Sequence, residues 1–374
     1  MVQQFIDWQA NRHDYAKAWK KKNKGKVFGY FCTYMPEEVL YAAGVLPVRI
    51  LGSHEPQNVT EPHIFAMFCP FCRDCLAQGL KGRYDYLDGI GIAQSCLHIR
   101  QAYTSWTKHI PTEFSYYLNM PHKVQSKRAN PFLRGEIEDF VKAVEKWTGK
   151  KITDANLKEA ITVYNNNRRL MRELYELRKA DSPPITGTEA MYITMAMQMT
   201  DKVEHSKALE RLIKDLKNKK VERDPGARLM VVGSENDDTK FLNMVESCGS
   251  TIVVDDHCTG SRYFWNDVKD GKDTLQAIAD RYIERPPCPT KDWEERKRLP
   301  HILKLAKDWR AQGAILVQQK FCDPHELDMV ALKKFLTANG IPCLQLELDV
   351  TVPIGQFKIR VEAFLEIIRG EELF

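Results

Sequence analysis

The chain has 374 residues, 43% hydrophobic and 28% charged, with a net charge of +5 and ten cysteines. These proportions are those of an ordinary globular protein; they exclude a disordered chain, and the modest, scattered positive charge argues against a nucleic-acid binder. No apolar run approaches the ~20 residues that cross a bilayer, and the length predicts about two domains.

The opening MVQQFIDWQANRHDYAKAW lacks the charged start, apolar core and small-residue cleavage site of a secretory signal, which predicts a cytoplasmic protein. In a reducing compartment ten cysteines point to metal or redox chemistry rather than to disulfides. Phe5, Trp8, Tyr15 and Trp19 have helical spacing, and the helix they predict runs to about residue 26. It ends in Lys20, Lys21, Lys22, Lys24 and Lys26. This basic cluster is either a phosphate site or, more simply, a solvated helix end where the dipole favours cations.

The stretch PEEVLYAAGVLPVRILG (36–52) predicts a short helix stopped at Gly44 and a strand to Leu51. Runs 87–93 and 112–118 predict two more strands, followed by a helix from about Asn130 that Thr148-Gly149 ends. Strands separated by helical patterns predict a parallel sheet, here the core of a first α/β domain, residues 1–150. Residues 153–180 predict an amphipathic helix with Thr153 as N-cap. A second helix, from Thr188 to about Lys220, carries Met191, Met195, Met197 and Met199, a stripe read as core filler. These helices make residues 151–223 a helical connector.

Asp224-Pro225-Gly226 is a turn that opens a second α/β domain, residues 224–374. Strands are predicted at 227–232, 251–255, 314–319 and 341–349. Helices are predicted up to Glu246, around 273–284, 300–311 and 325–338, and from about Gln356. In open parallel sheets ligands sit beyond the carboxyl ends of the strands. Cys96, Cys258 and Cys322 fall just past such ends, so the two domains present cysteines from equivalent edges and a site in the cleft between them is predicted.

The densest cysteine run is CPFCRDC, residues 69–75. Its spacing is that of a ferredoxin loop, but the chain continues LAQGL without the fourth cysteine, so distant ligands such as Cys96 and Cys322 are needed to complete a cluster. A closed zinc site is the alternative for Cys69, Cys72 and Cys75, although no second Cys-x-x-Cys or His pair is present to close it. Inert buried cysteines are the third reading. His257-Cys258 in DDHCTGSR either lines the cleft or belongs to a capping loop. Cys248 and Cys343 read as packing residues, and Cys32 and Cys288 are undecided. No phosphate loop, nucleophile elbow or dinucleotide fingerprint occurs.

The ordered segments PEEVLYAAGVLPVRILG, CPFCR, DGIGIAQSC, ITGTE, DDHCTGSR, QKFCDP and GIPCLQLELD resemble the 2-hydroxyacyl-CoA dehydratase and benzoyl-CoA reductase family over nearly the whole chain. Within it the chain looks most similar to the smaller core subunit, often called gamma, of ATP-dependent benzoyl-CoA reductase. The resemblance implies two flavodoxin-like parallel-sheet domains joined by long helices, with a [4Fe-4S] cluster in the interdomain cleft. It implies Cys69, Cys96 and Cys322 as ligands. The added Cys72 and Cys75 depart from the family pattern and leave room for a larger cluster.

The implied activity is stepwise single-electron reduction of benzoyl-CoA or a substituted analogue to a cyclic diene. The implied partners are a homologous second core subunit, ATP-hydrolysing activator subunits with their own cluster, and ferredoxin as donor. The alternative inside the family is a 2-hydroxyacyl-CoA dehydratase using a ketyl radical; outside it, a non-catalytic electron-transfer or structural subunit. His98, His257 and His54 are candidate proton donors, and Asp256, Cys258 and Arg262 are candidate substrate-binding residues.

Overall fold

A computed structural model describes residues 1–218, 221, 223–349 and 352–370. Helices α1 (Gln3–Ala10) and α2 (Arg12–Asn23) lead into strand β1 (Val27–Tyr30). Helix α3 (Glu37–Ala42), strand β2 (Leu46–Arg49), helix α4 (Pro70–Leu80), strand β3 (Gly89–Ala93), helix α5 (Leu97–His109) and strand β4 (Phe114–Leu118) follow. Four helices come next: α6 (Ala129–Thr148), α7 (Asp154–Leu177), α8 (Gly187–Met197) and α9 (Lys202–Lys217). Alternation resumes with β5 (Ala227–Gly233), α10 (Thr239–Ser247), β6 (Ser250–Asp256), α11 (Thr274–Glu284) and α12 (Arg298–Asp308). The chain continues through β7 (Gly313–Gln319), α13 (Asp323–Ala338), β8 (Cys343–Leu348) and α14 (Ile354–Arg369).

The strands form two four-stranded parallel sheets, ordered β2-β1-β3-β4 and β6-β5-β7-β8. The fold is α/β with two flavodoxin-like domains. Strands β5, β6 and β7 are buried at every residue. Their nearly unbroken apolar sequences are those of parallel strands covered by helices on both faces. In both sheets the strand order reverses beside the first strand, between β1 and β3 and between β5 and β7. Loops leaving the carboxyl ends of these strands diverge there and open a crevice.

Local sequence fixes the connecting helices. Thr153 caps α7 in a reciprocal box with Asn156, and Gly149, at φ 69°, ends α6. The single helix predicted from Thr188 is two: Thr186 and Glu189 box the start of α8, and Asp201 accepts from Val203 and Glu204 to start α9. Its predicted end near Lys220 lies outside the described residues. Met191, Met195, Met197 and Met199 are all buried in apolar clusters, as filler should be.

The halves also trade helices. Phe5 of α1 meets His205 of α9 edge to face and shares an apolar cluster with Leu209 and Leu212, while Ile278 and Tyr282 of α11 share one with Phe140 and Val144 near the first sheet. Buried polar pairs join them: Glu38 with Arg168 and Glu37 with Tyr263, while Arg285 Nη1 donates to the Thr33 carbonyl at 2.6 Å. Among the described residues no helix is long and apolar enough to cross a membrane.

Candidate functional site: a cysteine-lined cavity between the sheets

A cavity of about 90 Å³ lies where the two crevices face each other. Seven of the ten free cysteines line it: Cys32, Cys69, Cys72, Cys96, Cys258, Cys288 and Cys322. The topology explains their arrival. Cys32 follows β1, Cys96 follows β3, Cys258 follows β6 and Cys322 follows β7, all at carboxyl ends of strands. Cys69 comes from the long β2–α4 loop and Cys288 from the loop between α11 and α12.

Cys69, Cys96 and Cys322 share one local role. Each is the N-cap residue of its helix, α4, α5 and α13, and none makes a side-chain cap hydrogen bond. Helices normally begin on a Ser, Thr, Asp or Asn oxygen that satisfies first-turn amides. Here sulfur stands in that place, so the partial positive charge of three helix ends is left toward the cavity.

The neighbouring side chains of Cys322 and then Cys72 hold the Cys69 thiol well below its ordinary range. The same contact raises Cys322, and burial followed by Cys69 raises Cys72. The backbone N–H of Cys69 donates to His98 Nδ1 at 3.0 Å, and His98 Nε2 lies 3.4 Å from Asp323 Oδ2. His98 therefore ties the Cys69 turn to the first turn of α13.

Positive charge surrounds the cavity. Arg49 Nη1 donates to Gln198 Oε1 at 2.6 Å and to the Cys258 carbonyl at 3.0 Å, and Nη2 reaches Cys258 Sγ at 3.4 Å. Arg262 and Arg285 also line the space, with Glu235 as an acidic counterpart. Burial pushes the Glu235 carboxyl well above its ordinary range. Its Oε1 accepts from Thr259 at 2.8 Å while Oε2 has no partner. Gly233 makes this corner possible: it sits at φ 145°, where a Cβ would fall 1.9 Å from the Val317 carbonyl. Ser234 then bonds Val317 and Gln319 across the β5–β7 edge.

Several sequence candidates lie elsewhere. Cys75 faces the core, its Sγ donating to the Ile50 carbonyl at 3.4 Å. His54 is not in the cavity; its Nε2 lies 2.7 Å from Asp237 Oδ1 in a neighbouring cleft. His257 is 1% exposed, does not line the cavity, and makes no ring hydrogen bond, its Nε2 lying 3.9 Å from Asp255 Oδ1. Asp256 is buried against Arg262 and Arg298 and acts on the cavity only by holding Arg262. The basic cluster pairs with protein groups: Lys20 with Asp88, Lys22 with Glu204 and Lys26 with Glu113. Cys32, Cys288, Arg49, Arg285, Glu235 and His325 were not anticipated as lining residues. Recognising VFGY (27–30) as a strand would have put Cys32 beyond a strand end beside Cys96. Among the described residues no three His, Cys, Asp or Glu side chains are grouped to hold a single metal ion.

The sequence profile described as "2-hydroxyglutaryl-CoA dehydratase, D-component" matches residues 32–368. The chain belongs to this family. Every cysteine of the cavity lies inside the matched region. Among curated relatives, the (R)-phenyllactyl-CoA dehydratase beta subunit of Clostridium sporogenes is 27% identical over 97% of each chain. The beta subunit of (R)-2-hydroxyglutaryl-CoA dehydratase from Acidaminococcus fermentans is 27% identical over 98% of each. A benzoyl-CoA reductase subunit of Thauera aromatica is 24% identical over 89% of this chain and 88% of that one. This D-component chain is thus similar to enzyme subunits acting on acyl-CoA thioesters, dehydratases and a reductase alike.

Proposed function

We propose that this chain is the iron–sulfur subunit of a heteromeric enzyme acting on an acyl-CoA, and that Cys69, Cys96 and Cys322 hold a [4Fe-4S] cluster in the cleft. The observation that carries this reading is the convergence of these thiols, from the first turns of three helices and from both sheets, on one buried cavity. The donor set fits the group. Iron–sulfur clusters take cysteine thiolates, one to each iron, so their ligands stand wider apart than around a single ion. Three helix N-termini offset the negative charge that thiolates bring. Such a cluster supplies single electrons at low potential.

The chain's own residues would do the rest. Phe31, Tyr34, Phe71 and Ile99 wall the cavity with apolar surface that keeps water from it. Glu235, protonated by its burial, holds a transferable proton at the cavity edge with Oε2 free to aim it. Arg49 and Arg285 hold positive charge beside it.

Dehydration of a 2-hydroxyacyl-CoA to an enoyl-CoA and water is the first reading. It is favoured by the end-to-end match to three dehydratase beta subunits, including that of lactoyl-CoA dehydratase from Anaerotignum propionicum. Ring reduction of benzoyl-CoA or an analogue is the second, supported by the benzoyl-CoA reductase relative. Both need a second core subunit, and the alpha subunit of (R)-2-hydroxyisocaproyl-CoA dehydratase is itself 25% identical over 54% of this chain. Both also imply an ATP-hydrolysing activator and a low-potential donor such as ferredoxin.

The test is an anaerobic assay of the chain with its partner subunit and activator. Dehydration forms enoyl-CoA with no net reductant used, whereas ring reduction consumes two electrons per cyclic diene. A complex that contains neither iron nor sulfide and turns over neither substrate defeats the proposal.

A further inference from the structure

At the junction of α1 and α2 the loops after β2 and β5 frame an outer cleft of about 670 Å³, lined by Arg12, His13, His54, Glu55, Arg83 and Lys240. Between this cleft and the cysteine-lined cavity lies a neck of about 10 Å³. That is roughly the space of one water. The neck shares Gly52, His54 and Asp237 with the outer cleft, and Phe71, Glu235 and Gln319 with the cavity. A passage this narrow admits no acyl chain and no thioester. Water and protons fit it.

The neck is walled by carboxyl groups, and most of them are engaged. Asp74 Oδ2 accepts from the backbone N–H groups of Ser53 and His54 at 2.9 and 2.8 Å, and Gln78 Nε2 donates to Oδ1 at 2.7 Å. Asp238 Oδ1 accepts from the backbone of Lys240 and Phe241, and Asp349 faces Arg73 and Lys320. Asp237 forms an ion pair with His54, whose side chain lines the outer cleft. Glu235 is the exception. It is 7% exposed, and its Oε2 has no partner among the described residues. It stands two residues before Asp237 in the β5–α10 loop, and after burial the Asp237 charge does most to raise its carboxyl. The Cys258 thiol and Arg49 are the other charged or titratable groups that face it.

Single-electron chemistry in the cavity requires that bulk water stay out, yet a proton spent there has to be replaced. A neck one water wide, with a neutral carboxyl at its inner end and an ionised one at its outer end, passes protons without opening the site. We propose that this neck is the proton inlet of the site, in which Asp237 and a single water return to Glu235 each proton that it gives to the cavity. The proton comes from solvent in the outer cleft to the Asp237 carboxylate, then crosses the water to the Glu235 carboxylate. No electron moves, and both groups end as they began. His54 keeps its own proton and holds Asp237 at the neck. This rests on the reading of Glu235 as the proton source.

Infrared spectroscopy of the chain assembled with its partner subunit tests the inlet without turnover. The C=O stretch of the neutral Glu235 carboxyl, assigned by its loss in Glu235→Gln, is followed after transfer to deuterium oxide. It should shift within seconds in the natural protein and at least tenfold more slowly in Asp237→Asn. His54→Gln breaks the same ion pair but keeps the carboxylate, so exchange there should stay fast. A band that persists for hours in the natural protein overturns the inlet and needs no variant of Asp237. Equal rates in the natural protein and Asp237→Asn, or His54→Gln as slow as Asp237→Asn, also overturn it. Absence of the band overturns Glu235 as proton source instead. In the anaerobic assay Asp237→Asn should lose at least tenfold in turnover with iron unchanged, and added formate, a small acid that the outer cleft admits, should restore most of it. Glu235→Gln should not be rescued. Natural turnover in Asp237→Asn, or a loss that formate leaves untouched, overturns the inlet alone; natural turnover in Glu235→Gln overturns the reading beneath it.

Discussion

Arg49 and Cys258 meet across the cleft: the last residue of β2 donates to both the carbonyl and the sulfur of a residue just beyond β6, at 3.0 and 3.4 Å. With Gln198 as a further acceptor, one guanidinium fastens both sheets to the α8–α9 connection. Arg49→Met removes these bonds and strands the Gln198 amide oxygen. Chemical denaturation of the iron-free protein should show a loss of about 2–4 kcal/mol. Arg49→Lys should recover only part, because an ammonium lacks the planar fork.

Substitution of the cleft cysteines separates ligands from packing. Cys69→Ala, Cys96→Ala and Cys322→Ala should each lose visible cluster absorbance and iron. Cys75→Ala should keep both, since its thiol faces Ile50, and should cost only about 1–2 kcal/mol for the small cavity it leaves.

Glu235→Gln probes the buried carboxyl. Turnover should fall by roughly 10²–10⁴ with iron content unchanged, because the amide fills the same space without a transferable proton. Burial raises the folded carboxyl above its ordinary value of 4.5. The folded state therefore binds this proton more tightly than the unfolded one, and stability drains away as pH rises above 4.5 toward the folded value. The Gln variant should lack this decline, and denaturation midpoints against pH read it directly.

The His54–Asp237 pair has its own pH signature. Asp237 raises the His54 imidazole from 6.5 to about 10, while burial opposes the lowered Asp237 carboxyl and His54 prevails. A raised histidine contributes its full stability below 6.5 and loses it as pH climbs through about 10; the Asp237 share is lost as pH falls below 3.8. His54→Gln should therefore lower the melting temperature at pH 6 and match the natural protein above pH 10. The side chain is 35% exposed, so solvent screening limits the effect to about 1 kcal/mol.

The alternation of apolar runs and helical patterns in residues 227–369 is strong enough that strands and helices there fall within a few residues of expectation. Strand β1 escaped because four residues, VFGY, follow directly on a helix and a lysine run, and a central strand this short carries no period of its own. Missing β1 also hid Cys32. Cys96 and Cys322 were legible because strand-end position is a local property. Arg49 and Arg285 were not: each enters the cavity by long-range packing, and a buried cation reads in sequence like any surface one. His54 and His257 show the reverse error, in which residue type suggested chemistry that the fold assigns to an ion pair and to an interior site.

The walls of the cavity run from Phe31 to His325. During synthesis the first sheet can form once residue 118 is out of the ribosome, but its cysteines then face open solvent, with the opposite wall still untranslated. The enclosure exists only when about seven-eighths of the chain has emerged and the second sheet has closed on the first. The proposed cluster would therefore be inserted into a finished or nearly finished polypeptide, and in air the nascent half-site would present unprotected thiols to oxidation.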